Sequence, residues 1–107
     1  MTEENSIIRV IRTPGDHSHL FNHQETAQLA RVATRTLLKY WRYGLIEPRN
    51  RGERYGIFFD EQAIYRIRKA ESVRVSMKTN IPSAVAILKL MDQIEDLKAE
   101  LRFSRKF

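Results

Sequence analysis

The sequence predicts a mainly α (α+β) fold: a winged helix–turn–helix with a small β-hairpin wing, followed by a coiled-coil-like C-terminal dimerisation helix. Three observations carry this expectation. Residues 30–48 read as the end of one helix, a short turn, a second short helix and a Gly44-Leu45-Ile46 exit closed by Pro48. Residues 49–59 are a basic stretch around Gly52 that leads into an aromatic, β-prone run. Ile87, Leu90, Ile94, Leu97 and Leu101 step alternately by three and four, a heptad seam over about two repeats.

Each element has its own local signal. Ile7-Ile8-Arg9-Val10-Ile11 is β-branched and suits a short strand, and Thr13-Pro14-Gly15-Asp16 suits a turn. Asn22 with Glu25 three residues on is a capping box, which starts a first helix over 23–31. A second helix is expected over 34–43, ended by Gly44 just past its C-terminus. Beyond the expected hairpin tip at Gly52, Tyr55, Ile57 and Phe59 alternate as a half-buried strand does. Asp60 is a good cap for a third helix over 61–76. Thr79-Asn80-Ile81-Pro82 breaks it, with Pro82 in the first turn of a fourth helix over 82–103. Ala84, Val85 and Leu88 form a side suited to packing on the third helix. The expected division is an N-terminal arm with a short strand over 1–20, a winged helix–turn–helix over 21–78, and a dimerisation helix over 79–107.

Charge points to a polyanionic partner. The chain of 107 residues carries 19 Lys and Arg against 13 Asp and Glu, a net +6. Residues 31–78 alone hold twelve basic and five acidic residues, so the positive field lies on the helix–turn–helix, the wing and the third helix. In the second helix Arg35, Lys39 and Arg42 are spaced to share a face, while Leu37, Trp41 and Leu45 face a core. A short helix held from behind and cationic in front is built to read a major groove. Arg49, Arg51 and Arg54 in the wing suit phosphates, which set position and affinity rather than sequence.

With no Cys there is no disulfide and no thiolate metal site. No apolar run approaches a membrane span, and the acidic start Met1-Thr2-Glu3-Glu4 lacks the form of a secretory signal, so a soluble cytoplasmic protein is expected. His17, His19 and His23 share a loop without a converging carboxylate pair and are expected to be solvated. No phosphate loop, nucleophile elbow or paired-carboxylate motif is present, so no enzyme activity, metal or cofactor is expected.

Thr34-Arg35-Thr36-Leu37, Gly44-Leu45-Ile46-Glu47-Pro48 and Gly52-Glu53-Arg54-Tyr55, in that order before a capped helix, resemble the MerR superfamily. The resemblance covers about residues 22–76. It implies a second helix in the major groove, a wing on the backbone and an antiparallel C-terminal dimer helix. By position it puts Arg35, Thr36 and Tyr40 on or near the DNA side, with Arg54 and Tyr55 in the wing. Two departures stand out. Ala33 replaces a small capping residue, which weakens the helix start by about 1 kcal/mol, and Leu38 replaces an Arg, a loss that Lys39 can offset. No Cys pair follows the heptad helix, which excludes thiolate sensing of the kind some members perform.

Residues 81–98 resemble the end of the chaperone modulator CbpM, whose relatives bind and inhibit the J-domain of a DnaJ-like co-chaperone, and also the heat-shock repressor HspR. Two functions therefore stand. A sequence-specific transcriptional regulator binds double-stranded DNA as a homodimer through Arg35, Thr36, Lys39, Tyr40, Arg42, Arg49, Arg51, Arg54 and Tyr55. A chaperone modulator presents the acidic Asp92, Glu95 and Asp96 to a basic J-domain. The charge map favours DNA. Bland roles are open for several of these residues: Trp41 as a core anchor, Tyr40 and Tyr43 as wall residues, and Arg66, Arg68 and Lys69 as a solvated face.

Overall fold

A computed structural model describes residues 19–49 and 56–105. Within them the chain runs β1 (Phe21–Asn22), α1 (His23–Ala30), α2 (Thr34–Arg42), β2 (Phe58–Phe59), α3 (Glu61–Ser76) and α4 (Ile81–Arg105). The expected strand at 7–11 and the expected hairpin tip at Gly52 lie outside the described residues, as do His17, Arg51, Arg54 and Tyr55.

Polar caps set where three helices begin. The Asn22 side chain accepts the Glu25 N–H at 2.7 Å while the Glu25 carboxylate accepts the Asn22 N–H at 2.9 Å, the expected capping box. Asp60 accepts the Ala63 N–H at 3.2 Å to open α3, and Asn80 accepts the Ser83 N–H at 2.8 Å to open α4.

The helix ends share a pattern. After α1, Arg31 donates to the Gln28 carbonyl at 3.1 Å and Val32 to Ala27 at 3.0 Å. After α2, Gly44 donates to Trp41 and Leu45 to Tyr40, both at 2.9 Å, and Lys78 and Thr79 repeat the arrangement after α3. These are Schellman closures, each with a left-handed residue just past the helix. Gly44 takes that conformation freely at φ 83°, whereas Arg31 at 64° and Lys78 at 51° are side-chain-bearing residues there. Each costs about 1–2 kcal/mol relative to a right-handed residue. Arg31 lies in the turn between α1 and α2 and fixes its sharpness.

The described sheet is not a local hairpin. β2 pairs antiparallel with β1, Phe21 opposite Phe59 and Asn22 opposite Phe58, so the strand leaving the wing returns to the segment that opens α1. On either side of residues 50–55, the Arg49 N–H donates to the Phe58 carbonyl at 2.7 Å. Phe59 is fully buried and Ile57 packs partly buried on the core, as their alternation implied.

One core joins every helix. Ala27 and Ala30 of α1, Leu37 and Tyr40 of α2, Ala63, Ile67 and Ala70 of α3, and Ala84, Val85 and Leu88 of α4 are buried together with Leu45, Ile46 and Phe59. The alanines let backbones approach closely, and the larger side chains fill the space between. α4 therefore starts inside the core of the helix–turn–helix and leaves it after two turns. Beyond Leu88 every described residue of α4 is exposed.

Truncating Leu88 to Ala should destabilise the domain by about 2–5 kcal/mol. Denaturant titrations followed by circular dichroism and by Trp41 fluorescence should shift together, because the base of α4 and helix α2 share one core. Separate transitions would show that α4 folds as an independent unit.

Candidate nucleic-acid interface

α2 presents two opposed faces, and its sequence dictates both. Leu37 and Tyr40 are three residues apart and fully buried, and Trp41, one turn on from Leu37, is half-buried. The Trp41 ring stands edge-on to Phe59, with centroids 5.8 Å apart and planes at 85°. Arg35, Lys39 and Arg42 occupy the other side and are exposed, with Thr36 half-buried at the margin. No described side chain pairs with any of the three cations. Lys39 and Arg42 also lie in the last turn, where positive charge complements the helix dipole.

Tyr40 does not face outward, which corrects the expectation that it meets DNA. Its spacing from Leu37 commits it to the buried face, and its hydroxyl donates to Glu71 Oε2 at 2.5 Å. Arg74 holds that carboxylate from the other side, Nε to Oε2 and Nη2 to Oε1, each at 2.9 Å. Burial, and then the hydrogen bond to Glu71, push the Tyr40 phenol above its ordinary pKa. Hydrogen bonding from Arg74 lowers the Glu71 carboxyl below the usual range against the opposing effect of burial. The Glu71 hydrogen bond in turn raises Arg74. Near neutral pH the trio is a phenol, a carboxylate and a guanidinium, and no described buried side-chain polar atom lacks a partner.

The sequence reading missed this trio. Its available signal was the Glu71–Arg74 pair, three residues apart on α3, together with the i, i+3 relation of Leu37 to Tyr40.

Arg49 is organised by Asp60. Its Nη1 lies 2.8 Å from Asp60 Oδ2, while the other oxygen of that carboxylate caps α3. The Arg49 side chain is still 57% exposed, so it sits oriented at the base of the wing with donors to spare. Arg66, expected on a solvated face, is instead a tie between elements. Its Nε donates to the Leu45 carbonyl at 3.2 Å and its Nη2 meets Asp92 of α4 at 3.0 Å. Lys69 lies over the exposed Tyr65 ring, 5.7 Å from its centroid.

On α4, Leu90, Ile94, Leu97 and Leu101 are at least half exposed, and Ile87 is half-buried at the point where the helix leaves the core. Asp92, Glu95 and Asp96 are exposed, with Asp92 engaged by Arg66. Among the described residues, no three His, Asp or Glu side chains gather as a metal site, and no helix is long and apolar enough to cross a membrane.

A family model described as MerR HTH family regulatory protein matches residues 5–106. Among curated proteins, none matches the chain.

The start of α2 has no side-chain cap, because Ala33 stands in extended geometry (φ −69°, ψ 152°) without an oxygen to offer. Ala33→Ser should supply it and stabilise the domain by about 1 kcal/mol, read as a higher denaturation midpoint at unchanged m-value. An unchanged or lower midpoint would show that the free N–H groups already have partners.

Proposed function

The chain belongs to the MerR HTH family of regulatory proteins and is a DNA-binding regulator of that type; we propose that it binds duplex DNA as a homodimer and reads it with α2. The observation that carries this reading is the exposed cationic face of Arg35, Lys39 and Arg42, set directly opposite the buried face of a nine-residue helix. A helix so backed enters a major groove with its cations toward base edges and flanking phosphates. Arg35, in the first turn, is the residue for base reading. Thr36, Lys39 and Arg42 flank it, and Arg49, Arg51 and Arg54 with Tyr55 hold the backbone from the wing. Tyr40 has no part in the contact surface.

Binding should weaken steeply with salt, with a log–log slope of about −0.9 per phosphate neutralised. Replacing Arg51 or Arg54 should weaken all duplexes alike and flatten that slope by about one, whereas Arg35→Ala should relax sequence preference. Electrophoretic shifts across a salt series on genomic fragments read both effects. A flat salt response, or no binding at low salt, would overturn the DNA reading.

Dimerisation follows from α4. Past Leu88 every described residue of α4 is exposed, yet Leu90, Ile94, Leu97 and Leu101 line one side of it. A second copy supplies the matching stripe, and the family resemblance makes the pairing antiparallel. Leu97→Asp should convert a dimer to a monomer in light scattering at micromolar protein. A wild-type monomer would sink the dimer.

A second reading has its own observation: the exposed Asp92, Glu95 and Asp96, on the side of α4 away from that apolar stripe. They suit a basic partner such as the J-domain of a DnaJ-like protein, as the CbpM-like helix implies. Titration of the protein with a J-domain and with DNA at matched salt separates the two. Binding to the J-domain alone would assign the modulator role.

A further inference from the structure

The Tyr40–Glu71–Arg74 trio lies on the side of α2 away from its exposed cations, and general physical chemistry gives it more than a stabilising part. α2 begins without a cap, carries no acidic residue in its first turn and has only nine residues, so its attitude on the body must come from its inner face. Leu37 and Trp41 contribute apolar contacts, which fix how closely the helix lies but tolerate rotation about its axis. The Tyr40 hydroxyl is different. It ends a rigid ring, points at one carboxylate oxygen at 2.5 Å, and that carboxylate is immobilised by two Arg74 donors at 2.9 Å. Hydrogen bonds to charged groups are short and directional, so this one resists the rotation that the apolar contacts allow. With side-chain tips about 6 Å from the helix axis, a rotation of about 20° displaces them by roughly 2 Å. That is enough to break a base contact.

We infer that Glu71 and Arg74 are positioning residues for DNA reading, which act through Tyr40 to set the rotation of α2 and hence the aim of Arg35, Lys39 and Arg42. The inference rests on the DNA-reading function of α2. It also gives α3 a specific task, since Arg74 stands at its end, where the Thr79 N–H caps the Arg74 carbonyl at 2.9 Å as the chain turns toward α4.

The test uses the full chain and its single tryptophan, Trp41, which sits in α2 itself. Tyr40→Phe and Glu71→Gln are compared with Val85→Ala, a truncation on the α4 side of the core, each at the same interval below its own melting temperature. Two quantities are read: acrylamide quenching of Trp41 without DNA, and the ratio of affinities for a duplex selected from a random pool by the wild-type protein and for an unrelated duplex. Tyr40→Phe and Glu71→Gln should raise quenching about twofold and lower the affinity ratio about tenfold, the loss of one charge-assisted bond. The salt slope should stay unchanged, because the cations are intact. Val85→Ala should move neither quantity. Equal quenching and equal ratios in the three variants would reduce the trio to ordinary core stability and overturn the inference. A wild-type protein that prefers no duplex would overturn the DNA reading instead, and the quenching comparison would still decide whether the trio holds α2.

Discussion

The anchoring of α2 is the constraint on which the rest of the structure depends. A nine-residue helix without an N-terminal cap is not stable alone in water, where even good helix formers need about 12–15 residues. It persists because Leu37 and Tyr40 are buried and Trp41 lies against Phe59. Every other element contributes to that seat. The β1–β2 pairing brings Phe59 under Trp41, α3 brings Ile67 and the Glu71 carboxylate, and the Schellman closure at Gly44 turns Leu45 and Ile46 back into the core. The outer face is thereby free to be entirely polar and cationic, apart from Leu38.

The same seat is tied to α4 by polar contacts of modest individual strength. Arg66 spans the Leu45 carbonyl and Asp92, and Lys89 reaches the Tyr43 carbonyl at 3.5 Å. Asp92 is more than half exposed, so its ion pair contributes at most about 1 kcal/mol. The attachment of α4 comes instead from Ala84, Val85 and Leu88, with the ion pair setting direction more than strength. These directional contacts end at the exit of α2 and tie it to α4.

What was legible in the sequence was local. Asn22 with Glu25, Asp60 with the helix it opens, and Gly44 past α2 each carry their structural consequence within a few residues, and each is found as expected. The buried stripe of α4 was legible too, because Ala84, Val85 and Leu88 keep helical spacing. What was hidden is nonlocal. Nothing near Phe21 announces Phe59 as its partner 38 positions later, so this pairing was not expected, while the expected hairpin tip at Gly52 lies outside the described residues. Tyr40 was assigned outward by resemblance, although its step from Leu37 points inward. The partner that explains its burial, Glu71, is 31 residues away. Arg31 and Lys78 show a third kind of gap: Schellman closures usually announce themselves with Gly, and here charged residues take the left-handed position.

The exposed half of α4 sets a last energetic requirement. Thirteen residues from Gln93 to Arg105 project as helix with every described side chain exposed, close to the length at which an isolated helix is marginal. Their composition does not compensate: Ile94, Leu97 and Leu101 keep large apolar surfaces in water, as do Leu90 and Met91 just before them. Each such side chain gains about 1.5–3 kcal/mol if a partner buries it fully. In the proposed homodimer, four or five of them on each copy would supply the burial that offsets the entropy of association. The exposed stripe of α4 and the cationic face of α2 are joined through one core. In the proposed homodimer, fixing two copies of α4 together would also fix the separation of two copies of α2, and a half-site spacing would follow from that geometry.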